Sequence, residues 1–257
     1  IDIGVSEGTA VYPTANGVVG AIVERSSCGG NMLYIWVTVN GKKYTTVLIW
    51  LAGLDESSED FIDMFIHNPP LLPHPERNKI IILCGEKMKV TAYKLDPSGD
   101  ECHSWFDMTC LYNITETNVE SINLEDLLKS TKRISEYIEK EAKYLNGYDN
   151  IFLGGFSQGA IMSLHVGLSY DKLLGGIISC SGALFPKTEI NKNNEKLRIF
   201  ISHGDLDDFI EIGINKLSIK RIQNFPNLEI HYYPSIGHCI EQKALIDLAN
   251  FFYKYTK

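Results

Sequence analysis

Residues 151–165 read IFLGGFSQGAIMSLH, and how this stretch is read decides the fold. An apolar run of strand type over 150–153 meets a glycine pair, and a helical pattern follows over 158–168. Between them Gly155-Phe156-Ser157-Gln158-Gly159 matches G-x-S-x-G. Set between a strand and a helix, this pattern makes a nucleophile elbow, a turn so sharp that glycines must flank the serine. The serine hydroxyl then stands exposed above the sheet, at a helix N-terminus whose dipole favours developing negative charge. Glycine and serine are common, so the pattern alone also fits a plain structural turn. Its surroundings separate the two readings.

Downstream, strand and helix patterns alternate. Strand runs over 174–179, 197–202 and 228–233 are interleaved with a helix over 212–222, and an amphipathic helix over 240–253 carries Ile240, Ala244, Leu245, Leu248 and Phe252 on one face. Upstream, a long helix spans 123–145 with Asn123 as its cap. This order predicts an α/β fold with a mostly parallel sheet covered by helices on both faces. Three β-rich runs come first, over 18–23, 32–39 and 44–51. Asn40-Gly41 joins the last two and predicts a hairpin. A strand over 79–83 follows a connection holding Pro69, Pro70, Pro73 and Pro75, which is neither helix nor central strand.

A chain of 257 residues is expected to form one domain, a β extension over 1–45 followed by a core over 46–257. No apolar run is long enough to cross a bilayer, so no transmembrane segment is expected. The formal net charge of -8 argues against nucleic-acid partners, because phosphate contacts need clustered Lys and Arg. The six cysteines show no CxxC pair and no zinc spacing. Neither a metal nor an organic cofactor is expected.

A serine hydroxyl is a weak nucleophile until a base takes its proton, so the elbow calls for a carboxylate and a histidine downstream, in that order. Both follow strand ends. His203-Gly204-Asp205-Leu206-Asp207-Asp208 comes after the strand at 197–202, and Ser235-Ile236-Gly237-His238 after that at 228–233. His238 falls on the loop before the last helix and is the expected base. His203, at a strand end, reads as loop structure; His67, His74, His165 and His231 read as packed or solvated. Asp205, Asp207 and Asp208 are the candidate acids.

Five ordered motifs, GGFSQGA, SGALFP (181–186), SHGDLDDFI (202–210), SIGHCI and SWFDM (104–108), together resemble the acyl-protein thioesterase and small carboxylesterase/lysophospholipase family of α/β-hydrolases. The resemblance begins near Val47 and runs to the C-terminus. It implies Ser157 as nucleophile, His238 as base and, from the pattern H-G-x-x-D, Asp207 as the orienting carboxylate; Asp205 would brace the loop and Asp208 face solvent. It also implies an oxyanion hole from the backbone N–H groups of Gln158 and Leu54. Leu54 lies in a loop similar to the family's H-G-L-G-D, in which Ala52 replaces the histidine and Asp55 the second glycine. Trp105 would line the acyl site or be a core aromatic, and the apolar loop over 65–72 would form an acyl channel or surface packing.

The expected activity is acyl transfer to water from a small acyl ester or a lipidated protein. A second reading keeps the fold without the catalysis, as a binding or structural subunit; it rests on the altered loop and on an N-terminal β extension that could pair with a protein partner. A peptidase on the same fold is a third, with no cleft in the sequence to identify it. The resemblance implies a cytoplasmic location, whereas the Asn113-Ile114-Thr115 sequon and a first residue other than Met would fit a secretory one.

Overall fold

The computed structural model describes residues 44–66, 71–73, 77–93, 101–110 and 121–256, with the backbone alone of 63 and 66 and of 18–25 and 31–38. Among these residues one eight-stranded sheet runs in the order β1 (Val18–Arg25), β2 (Asn31–Thr38), β4 (Asn78–Leu83), β3 (Thr46–Leu51), β7 (Ile151–Phe156), β8 (Gly176–Cys180), β9 (Ile199–Gly204) and β10 (Leu228–Tyr233). From β4 to β10 every pairing is parallel. A two-stranded antiparallel ribbon, β5 (Glu86–Met88) with β6 (Cys102–Ser104), stands apart. The helices are α1 (Ile62–Ile66), α2 (Leu124–Leu145), α3 (Gln158–Ser169), α4 (Ile212–Ser218) and α5 (Gln242–Tyr255). The helix expected over 212–222 therefore changes at Ile219 into a 3-10 turn ending at Ile222. None of the helices among the described residues is long and apolar enough to cross a membrane.

The hairpin expected between the strands that became β2 and β3 does not form. β2 pairs antiparallel with β1 on one side and β4 on the other, and β3 lies beyond β4. The reason is burial: all six residues of β3 are buried, and such a strand belongs in the middle of a parallel sheet covered on both faces. The antiparallel pair at the start of the sheet is β1 with β2. Asn40-Gly41 and the Asn113 sequon lie outside the described residues.

Alternation along β3 divides the core into two layers. Val47, Ile49 and Leu51 join Ile134 and Ile138 of α2 and Ile161 and Met162 of α3; Leu48 and Trp50 join Phe61, Phe65 and, from α5, Leu248, Phe251 and Phe252. At the start of α2 the Asn123 side chain accepts hydrogen bonds from the N–H groups of Glu125 and Asp126, as expected for a cap. One ion pair is buried where β4 meets α2. Lys79 Nζ lies 2.7 Å from Glu141 Oε1, and the Tyr44 hydroxyl donates to Glu141 Oε2 at 2.8 Å. Burial pushes the Lys79 ammonium below its usual range, and Glu141 counters that push.

Breaking such a pair strands a buried charge, whereas replacing both partners with apolar residues does not. Glu141→Ala is expected to cost about 3–5 kcal/mol in urea denaturation, and the double variant Lys79→Met/Glu141→Leu much less.

Candidate active site

β7 ends at Phe156 and α3 starts at Gln158, leaving Ser157 alone in the turn at φ 54°, ψ −119°. Positive φ strains a residue with a Cβ by about 1–3 kcal/mol, so the surroundings must hold it there. They do so on both sides: Ser157 N–H donates to the Cys180 carbonyl at 3.0 Å, and the Ser157 carbonyl accepts from Ala160 and Ile161. The flanking glycines are required by packing. A Cβ on Gly155 would lie 2.5 Å from the Gly159 carbonyl carbon and 2.8 Å from the Leu51 oxygen; one on Gly159 would lie 2.5 Å from the Ala52 oxygen.

The structure brings Ser157, His238 and Asp207 into one hydrogen-bonded chain. Ser157 Oγ is 2.8 Å from His238 Nε2, and His238 Nδ1 is 2.8 Å from Asp207 Oδ2. A carboxylate only accepts, so Nδ1 carries the proton and Nε2 is left to take one from the serine. The Asp207 carboxylate is fully buried. Its Oδ1 accepts from the N–H groups of Phe209 (3.0 Å) and Ile210 (2.8 Å). Burial pushes this carboxyl up, but the bonds from His238 and Ile210 N–H, with the charges of His238 and His203, outweigh it and hold it below the usual range. The Phe156 and Phe209 rings, 4.9 and 5.1 Å from the His238 ring, restrict its rotation. Of the other two acids, Asp205 accepts from Ser235 N–H at 2.6 Å and braces the histidine loop, while Asp208 is exposed.

The altered loop keeps the backbone that a glycine would give. Asp55 sits at φ 61°, and its N–H donates to the His103 carbonyl at 2.8 Å. Leu54 and Gln158 both line a cleft of about 360 Å³ together with Ser157 and His238. Gln158 is the first residue of α3, where an N–H has no acceptor within its own helix. Its side chain turns away and ties the elbow to its neighbours: Oε1 accepts from Trp105 N–H, and Nε2 donates to Ser104 Oγ and the Phe106 carbonyl.

Trp105 lies outside the cleft wall. It is fully buried; its indole N–H donates to the Ala52 carbonyl at 2.8 Å, which places it behind the loop as a brace. A buried indole N–H needs such an acceptor. The described parts of the 65–72 loop, Phe65, Leu71 and Leu72, pack into the core around Trp50 rather than along the cleft. The apolar wall comes instead from Leu54, Met108, Phe156, Ile161, Ala183 and Ile210. His165 bonds Thr188 and His231 stacks on Phe200, so both are packed as expected.

Two further residues complete the site: His203, read from the sequence as loop structure, and Glu56, to which the sequence reading gave no role. His203 is buried, with Nε2 donating to the Ile210 carbonyl at 2.6 Å and standing 3.4 Å from Asp207 Oδ2, so it closes the acid loop from beneath. Glu56 accepts from Gly53 N–H at 2.6 Å and lines the cleft. A carboxylate reaching back three residues to a free N–H is a recognisable local signal.

With this geometry in view, a family model described as Phospholipase/Carboxylesterase matches residues 34–256. The chain belongs to that family. The match begins inside β2, upstream of the Val47 start expected from the motifs. Among curated relatives, acyl-protein thioesterase 1 of Debaryomyces hansenii is 34% identical over 84% of this chain and 93% of its own length. Acyl-protein thioesterase 1 of Mycosarcoma maydis is 28% identical over the same shares of the two chains, 84% and 93%. Of solved structures, Arabidopsis thaliana SOBER1 superposes with TM-score 0.70 at 22% identity, covering 84% of this chain and all of its own. Zea mays acyl-protein thioesterase 2 superposes with TM-score 0.65 at 18% identity, covering 83% and 95%. These two share the fold.

Burial pushes the Glu56 carboxyl up to about 7, against the bond from Gly53 N–H; Asp60 pushes further up and His238 pulls down. A carboxyl whose folded pKa exceeds the unfolded value supports the fold while protonated, and that support is lost as pH rises from about 4.5 towards 7. Glu56→Gln keeps an acceptor for Gly53 and cannot ionise. The melting temperature of the variant relative to the parent is therefore expected to climb by a few degrees between pH 5 and pH 8, read by calorimetry at both.

Proposed function

We propose that this chain is a serine hydrolase that cleaves acyl esters or thioesters through an acyl-enzyme. The observation that carries the reading is the Ser157–His238–Asp207 chain, with both hydrogen bonds at 2.8 Å and the serine held in a strained turn at the mouth of an apolar cleft. Membership of the phospholipase/carboxylesterase family, and relatives named as acyl-protein thioesterases, support the same class.

The residues divide the work as follows. Ser157 Oγ forms a bond to the acyl carbonyl carbon while its proton passes to His238 Nε2. Asp207 fixes the tautomer and stabilises the imidazolium. The carbonyl oxygen becomes an oxyanion between the N–H groups of Leu54 and Gln158, near the positive end of the α3 dipole. As the intermediate collapses, the bond to the alcohol or thiol breaks and the leaving group takes the proton from His238. Water then attacks the acyl-serine by the same route, releasing the acid and restoring the serine.

A non-catalytic subunit finds its support in the Ala52 and Asp55 replacements. Asp55 at φ 61° weakens that support, because the backbone path a glycine would give is kept and backbone groups are the donors. The apolar wall favours an acyl chain as the bound group, which suits small acyl esters and lipidated proteins alike.

Hydrolysis of p-nitrophenyl esters and acyl thioesters of rising chain length tests the reading. Ser157→Ala is expected to lose several orders of magnitude in kcat, and Asp207→Asn about 10⁴-fold. Asp208→Ala should lose little; losses equal to those of Asp207→Asn would overturn the choice of acid. A folded protein with no turnover and no labelling by a fluorophosphonate would favour the subunit reading.

A further inference from the structure

The cleft wall is acidic among the described residues. It includes Asp55 and Glu56, while none of the described residues that line the cleft is Lys or Arg. Asp55 is exposed to solvent, but Glu56 is part-buried beside the nucleophile. A Cβ built on Gly53 would collide with Glu56 Oε2 and lie 3.2 Å from Ser157 Cβ, so the carboxyl group and the serine flank the same face of that glycine. Asp207, the other acid of the site, is already matched by His238 and two N–H groups.

We propose that Glu56 is a specificity-determining residue that sorts acyl donors by charge, favouring those with a cation beside the scissile bond over those with an anion. The proposal rests on the hydrolase reading and adds to it the electrostatic class of the substrate. Two features of the site give Glu56 its reach. The apolar wall and the partial burial lower the local dielectric, so a charge here is felt more strongly than one at an open surface. The bond from Gly53 N–H holds the carboxyl in place rather than letting it swing into solvent.

Selection by Glu56 depends on its ionisation, and its carboxyl titrates at about 7. The charged groups acting on it are Asp60 from the 3-10 turn before α1 and His238 from the loop before α5, while Asp55 shares the cleft wall. Below neutrality the group is largely protonated and discriminates little. Above it the carboxylate attracts a cation and repels an anion, so discrimination rises with pH.

The test uses three thioesters sharing one acyl group: butyrylthiocholine (cationic), S-butyryl-2-mercaptoethanol (neutral) and S-butyryl thioglycolate (anionic), with thiol release measured from pH 6 to pH 8.5. The ratio of kcat/KM for the cationic over the anionic substrate is expected to rise on the order of tenfold across that range in the parent protein, and to stay low and flat in Glu56→Gln. Because each ratio is taken within one protein, a partial loss of folding cancels. A ratio that does not change with pH in the parent overturns the proposal, as does an equal rise in parent and variant. Lack of serine-dependent turnover of the neutral thioester and of p-nitrophenyl esters overturns the hydrolase reading and the selectivity with it. Turnover of all three with no effect of the substitution overturns the selectivity alone.

Discussion

The left-handed turn at Ser157 is the constraint on which the rest of the site depends. It exists only because nothing but hydrogen occupies the Cβ positions of Gly155 and Gly159, which lets α3 start against the carbonyls of Leu51 and Ala52. The elbow and the loop after β3 are therefore one packing unit. Trp105 binds the Ala52 carbonyl from behind, and the Gln158 side chain binds Trp105, Ser104 and Phe106, so the β6 segment locks the ends of β3 and β7 together. A strained serine needs such over-determination, since a looser frame would let the turn relax.

The parallel sheet does the rest of the assembly. Its registers put Phe156 beside Cys180, Cys180 beside Ser202 and Gly204 beside Tyr233, so the C-terminal ends of β7, β8, β9 and β10 lie in a row. Loops leaving such a row converge above it, which is where open α/β sheets hold their ligands. Asp207 and His238 leave from the third and fourth of these strands, each with its own brace. His203 holds the Ile210 carbonyl under Asp207, and Asp205 holds the Ser235 N–H before His238. Two loops far apart in the chain thereby meet with no direct covalent link.

Burial pushes both carboxyl groups of the site up, and the donors around each decide the outcome. Asp207 is buried with donors around it and stays ionised; Glu56 is part-buried with one donor and another acid nearby, and is pushed towards neutrality. Two carboxyl groups of ordinary chemistry thus differ at neutral pH because of what surrounds them.

Much of this was written into the chain itself. Glycines at 155 and 159 around a serine, between an apolar run and a helical one, fix the elbow because only those residues fit the turn. Asn123 caps its helix because its side chain reaches the free N–H groups locally. The order Ser157, Asp207, His238, after the ends of β7, β9 and β10, follows from the same alternation. Long-range packing decided the remainder. Asn40-Gly41 favours a hairpin, yet β3, buried at every position, is stabilised more by burial between β4 and β7 than by pairing with its neighbour in sequence. Trp105 carries the same aromatic ring at a cleft or behind one; its place was set by a carbonyl at Ala52, 53 residues away in sequence. The environment of Glu56 was equally hidden, since a carboxyl group takes its charge from the burial and neighbours that only the folded chain supplies.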